Sequence, residues 1–186
     1  MSRPGRDPLA ERCIGPGPGA RHDASEAPRE DLLLARRGTA YFSRKLGELT
    51  DDALNAPSLR AGWSRRLLIA HVGYAARDLA QRLAGMRGPC DLVDQDGHAT
   101  PLAGAAQGAD LPARALRSLI HHTAIHLDVE WRDLGAAEWD RVLSLPDGTA
   151  VTARQTPFLR AELVWHAAID LGNGGRLLDV PPALRG

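Results

Sequence analysis

Cysteine is scarce in this chain. Cys13 and Cys90 are the only two, they form no metal-ligand or redox spacing, and two cysteines do not make a secreted disulfide framework. Net charge is missing as well. Lys and Arg number 23, Asp and Glu also 23, and the pI is about 7.1, so no basic field argues for nucleic acid and no acidic block for a solvated tail. No window approaches the roughly 18 consecutive apolar residues of a membrane span, and the N-terminus lacks the apolar run of a signal peptide. These absences lead us to expect a cytoplasmic protein with no nucleic-acid or membrane partner. No internal repeat is visible.

What remains is an ordinary composition for one domain: 186 residues, 44% hydrophobic and 25% charged, enough for one core. Residues 1–28 are rich in Gly, Pro and Arg, with Gly15-Pro16-Gly17-Pro18-Gly19 at their centre. They have no periodic apolar face to offset the entropy of ordering, and are expected to be a disordered extension. A single domain is expected over 29–186. Its first helix runs from Arg29 to Leu49, with Leu32, Leu34, Phe42, Leu46 and Leu49 at helical spacing. Asn55 to Trp63 reads as a linker broken by Pro57-Ser58 and Gly62. Ser64 then caps a second helix from Arg65 to about Ala84, which stops at Gly85 and places Leu68, His71, Ala75 and Leu79 on its inward stripe. Residues 85–110 show no sustained period and are expected to be a long loop covering an opening.

A third helix is expected from Asp110-Leu111-Pro112, with Asp110 as its cap, to about Leu134. Its face through Ala115, Leu119, His122, His126 and Val129 is apolar apart from two histidines, which form one candidate metal pair or could line a pocket. Arg141–Leu145 and Thr149–Ala153 flank Pro146-Asp147-Gly148 as a β-hairpin. A fourth helix runs from Pro157 to Leu171, with Thr156 as N-cap and Gly172 as left-handed stop. The expected fold class is all-α, a four-helix bundle with a long connection between helices two and three and a small hairpin before helix four.

The fourth helix carries the chemistry that stands out. Glu162 and His166 are four residues apart, so their Cβ atoms lie about 6 Å apart on one face, a separation one divalent cation can bridge. His71 on the second helix would supply a third ligand if those helices are neighbours. Two imidazoles and one carboxylate leave a coordination position open, the composition of a catalytic zinc site more than of a closed structural one; other divalent ions remain compatible. By helix position Arg77, Arg82 and Arg160 are candidates to hold a substrate anion. Tyr74 is a candidate to point its hydroxyl at cofactor or substrate. Asp170 could accept the other N–H of His166. Trp63 and Trp165 read as packing residues.

Two separated runs carry a resemblance. Leu46-Gly47-Glu48-Leu49-Thr50-Asp51-Asp52-Ala53-Leu54, Pro57-Ser58, Gly62-Trp63-Ser64 and Ile69-Ala70-His71-Val72 resemble the opening of the mycothiol-dependent maleylpyruvate isomerase family, which belongs to the DinB-like four-helix proteins. The run from Leu159 to Gly172 resembles that family's second motif, and the likeness extends in order over roughly residues 30–182. It implies a zinc ion held by His71, Glu162 and His166, and mycothiol as the thiol cofactor. A metal-bound thiol is deprotonated at neutral pH. The implied activity is addition of that thiolate to an unsaturated acid, rotation about the resulting single bond and elimination of the trans isomer; the alternatives are S-transfer to an electrophilic metabolite, or a non-catalytic metal- or ligand-binding bundle. The chain departs from the family pattern at Ala75 and Arg77, where the isomerases tend to have Asn and Asp. The family's full-length isomerases also carry a further C-terminal domain, which is not expected in this chain. A homodimer is left open.

Overall fold

The computed structural model describes residues 22–87 and 101–185. The expectations for residues 1–21, Cys13, Cys90 and the stretch 88–100 lie outside the described residues. Among the described residues five α-helices form the frame: α1 (Arg29–Gly47), α2 (Arg65–Met86), α3 (Pro101–Gly108), α4 (Ala113–Asp133) and α5 (Thr156–Asp170). A two-stranded antiparallel hairpin, β1 (Val142–Ser144) and β2 (Ala150–Thr152), precedes α5. This is the all-α, DinB-like bundle with a small hairpin before its last helix that the sequence implies.

Side-chain contacts fix the directions of the helices. Gly38 of α1 faces Val164 and Trp165 of α5, while the Lys45 carbonyl accepts from Asn173 at 2.7 Å, so α1 and α5 run parallel. Arg160 of α5 reaches the Val72 carbonyl of α2 at 2.8 Å, and Arg65 at the start of α2 reaches the carbonyls of Leu171 and Gly172 at 2.6 and 3.0 Å, so α2 and α5 are antiparallel. Gly73 packs on Leu119 and Ile120, and Arg87 pairs with Asp133 at 2.9 Å, which makes α2 and α4 parallel. The order is therefore up, down, down, up. A parallel α2–α4 pair requires the chain to travel back along the bundle between them, and this is why the connection is long.

Within that connection lies α3, where a continuous loop was expected. Its sequence, Pro-Leu-Ala-Gly-Ala-Ala-Gln-Gly, hides its period because its packing face is made of small residues. Gly104, Ala105 and Gly108 are buried, and a methyl group at Gly108 would stand 2.5 Å from the Tyr74 ring. The absence of side chains lets α3 lie directly on α2.

Several other boundaries differ from expectation. Residues 22–28, expected as part of the extension, lie against the bundle: Ala27 is buried and Asp23 pairs with Arg36 at 2.7 Å. Asp110 caps nothing; α4 begins after Pro112. Thr156 is not an N-cap either. Thr152 and Gln155 form a capping box on a preceding 3-10 turn, while the Thr156 hydroxyl is buried, donating to the Ala153 carbonyl at 2.7 Å and accepting from Trp131 Nε1 at 3.0 Å. Ser64 does cap α2, accepting from the Leu67 amide at 3.1 Å, and Gly172 takes φ 66° as the left-handed stop after α5. In α4 the buried face passes through Leu116, Ile120, Thr123, Leu127 and Trp131. His122 and His126 are exposed, one residue off the expected stripe; His122 meets Ser118 at 3.0 Å and His126 meets Glu130 at 3.2 Å.

Candidate metal centre

The site sits where the start of α2 meets the end of α5. The 57–64 loop is held there by its backbone: Ser58 N donates to the Trp63 carbonyl at 2.9 Å, Trp63 N to the Arg60 carbonyl at 3.0 Å, and Leu59 N to the Asp170 carbonyl at 2.7 Å. Gly62, at φ 76°, supplies the left-handed residue that the turn needs. Arg65 clamps the same corner by donating to the carbonyls of Ala53, Leu171 and Gly172, which satisfies helix-end acceptors that have no partner inside α5.

A cavity of about 330 Å³ opens at this corner, lined by Arg60, Leu68, Glu162, Leu163, His166, Ala167 and Asp170. The pair on α5 is therefore together in one cavity. His166 is exposed and Glu162 partly so, which places the pair at the bundle's rim and not in its interior. The Nδ1–H of His166 donates to the Glu162 carbonyl at 2.9 Å. That bond fixes the tautomer and leaves Nε2 with its lone pair. Asp170, considered as the partner of His166, lines the cavity instead, with no hydrogen bond to the imidazole.

His71 projects from α2 one turn beyond Leu68, on the same side of the helix. Its Nδ1 is buried and has no hydrogen-bond partner among the described residues, and the ring meets Trp63 edge-on at 5.2 Å between centroids. Burial holds its pKa below the usual imidazole value, and the charges of Arg60 and then Arg160 lower it further. His71 is thus a neutral imidazole, the form that ligates a metal. An orphaned buried nitrogen costs on the order of 1–3 kcal/mol, and a cation shared with this ring would offset that cost. The donor set, two imidazoles and a carboxylate, fits a zinc ion. The side chains as they stand do not yet enclose one: among the described residues no three His, Cys, Asp or Glu form a group positioned to hold a metal.

The other expected residues lie elsewhere. Arg82 is bound bidentately to Asp78 at 2.7 and 2.9 Å and donates to the Ser144 carbonyl. Arg77 is exposed, 5.6 Å from the Tyr74 ring centroid. Tyr74 lies under α3 against Gly104 and Gly108. Arg160 is 4% exposed; burial lowers its pKa to about 10, it donates to the Val72 carbonyl, and it lines a separate apolar cavity of about 180 Å³ with Ala75, Leu79 and Leu163. None of these four lines the cavity of Glu162 and His166. The cation that does is Arg60, which lies in a loop, where no helical period marks the direction of a side chain. Its one sequence signal is its position three residues before Trp63.

An antiparallel pair of bundle helices offering two imidazoles and a carboxylate at one end defines a DinB-like bundle with a candidate metal-binding corner. The chain belongs to the family described as the mycothiol maleylpyruvate isomerase N-terminal domain, whose sequence model matches residues 35–172. Among solved structures it is similar to the mycothiol-dependent maleylpyruvate isomerase, at 33% identity and TM-score 0.72, and to a histidine-to-alanine mutant of that enzyme, at 32% identity and TM-score 0.73. Each comparison covers 84% of this chain and 65% of the isomerase chain, so this chain spans about two thirds of the isomerase's length. No curated protein matches. Among the described residues no helix is long and apolar enough to cross a membrane.

Proposed function

We propose that this chain binds zinc through His71, Glu162 and His166 and serves a mycothiol-dependent reaction on an unsaturated acid, of the cis–trans isomerisation type. The observation that carries the reading is the placement of Glu162 and His166 in one cavity whose α2 wall is Leu68, a turn from His71, whose buried Nδ1 has no hydrogen-bond partner among the described residues. When bound, the metal and the thiol together would supply a nucleophile ionised at neutral pH.

The chain's own residues prepare that corner. Burial and two guanidinium charges keep His71 unprotonated. The Glu162 carbonyl orients His166, and the Glu162 carboxylate provides the anionic donor. Leu68, Leu163 and Ala167 give the cavity apolar walls beside the polar groups.

The test is conversion of maleylpyruvate to its trans isomer by the zinc-loaded protein, with and without mycothiol and after chelation. Turnover that needs both thiol and metal is the expected outcome. Turnover that survives full chelation would sink the metal assignment. Zinc binding without thiol-dependent turnover on any unsaturated acid or electrophile would favour the non-catalytic reading.

A further inference from the structure

The arginines around the bundle's core mostly have partners. Arg36 is held by Asp23 and Asp128, Arg65 by three carbonyls, Arg82 by Asp78, and Arg160 by the Val72 carbonyl. Arg60 differs from all of them. Its guanidinium carbon lies 4.0 Å from the centroid of the Trp63 ring, and the side chain makes no hydrogen bond or ion pair with any described residue. It nevertheless lines the cavity that holds Glu162 and His166.

Stacking sets what such a group can do. With one face on the indole, the guanidinium keeps its N–H groups in the plane, where they match the two oxygens of a carboxylate. The ring also fixes the fork in place, so less conformational entropy is lost when an anion arrives. The loop beneath it is fastened to α5 through Leu59 N and the Asp170 carbonyl, so the cation keeps its position relative to the proposed ligands. Trp63 also ties the cation to His71, whose ring meets the same indole edge-on at 5.2 Å between centroids.

We propose that Arg60, stacked on Trp63, is the specificity-determining residue of this site: it binds the carboxylate of the electrophile and selects acids over neutral substrates. This rests on the reading of the corner as the reaction site and assigns the anion-binding role to a loop residue in place of the helix arginines. Arg60 leaves the chemistry of the thiol untouched; it recognises and orients its reaction partner.

Trp63 supplies the readout. Trp131, Trp139 and Trp165 are buried in the core, whereas Trp63 is partly exposed beneath Arg60, so an anion seated on Arg60 perturbs its fluorescence. Maleate and its neutral diamide are titrated into wild-type protein, Arg60→Gln and Arg60→Lys, with zinc content measured on the same samples. The expected result is saturable maleate binding by the wild type, weakened roughly tenfold or more in Arg60→Gln and partly retained in Arg60→Lys, a size typical of losing a charge-assisted hydrogen bond. The diamide should not distinguish the three proteins. Equal maleate affinity in wild type and Arg60→Gln, or no saturable binding by the wild type at millimolar maleate, would overturn the assignment. Zinc-free wild-type protein would count against the metal reading, while the maleate comparison would still decide the role of Arg60.

Discussion

At the scale of single residues, the environment decides which ionisable groups remain charged and which are free to act. His71 is kept neutral by burial and two nearby cations, while Asp23 at the other side of the fold is kept ionised. The Arg36 hydrogen bonds hold the Asp23 carboxyl below the usual carboxylate range, against the opposing effect of partial burial. A depressed carboxylate pKa means that the unfolded chain binds the proton more readily than the folded one. The pair's contribution is therefore complete above about pH 4 and is lost as pH falls through the folded value. Urea midpoints measured from pH 6 down to pH 3 should fall less in Asp23→Asn than in wild type; identical slopes would show that the pair contributes nothing. The pairing of Glu162 and His166 on one face of α5 was legible in the sequence, because an i, i+4 pair needs only helical geometry to be placed. Arg60 was not, since its loop is set by the hydrogen bond from Leu59 N to the Asp170 carbonyl, more than a hundred residues further along the chain.

At the scale of elements, α5 is fastened at both ends and pressed closely against α1. A Cβ built on Gly38 would stand 2.6 Å from Val164 Cγ2 and 2.7 Å from the Trp165 ring, and Trp165 cannot easily yield because its Nε1 donates to the Leu34 carbonyl and its ring stacks on Tyr41 at 4.9 Å. Gly38→Ala gains up to about 1 kcal/mol in helix propensity but overpacks the interface at a cost of about 1–3 kcal/mol. A net loss of about 1 kcal/mol is expected in chemical denaturation; a stabilised variant would mean that the helices separate freely. Arg65→Met should cost about 1–3 kcal/mol, since it leaves the carbonyls of Ala53, Leu171 and Gly172 without this donor; an unchanged midpoint would show that water replaces the guanidinium without loss. The long helices and the Asp-Gly hairpin were readable from period and turn chemistry. The short helix α3 was not, because Gly and Ala carry almost no periodic signal and their fit to Tyr74 exists only once α2 is in place. The α4 stripe was read one residue out of register, which placed His122 and His126 inside.

At the scale of the whole molecule, the up-down-down-up order makes α2 and α5 antiparallel neighbours, and this brings residue 71 to the end of the bundle that carries residues 162 and 166. No property of either helix alone contains that juxtaposition; it follows from the long return between α2 and α4. The 57–64 loop closes the same end and delivers Arg60 to it. The family's two motifs are thus far apart in sequence and meet at one corner of the fold. Elemental analysis of protein purified without chelator or nickel resin reads whether this corner holds zinc. About one zinc per chain is expected in the wild type, with most of it lost in His71→Ala and in Glu162→Ala; full zinc occupancy in both variants, or a metal-free wild type that takes up no added zinc, would overturn the assignment.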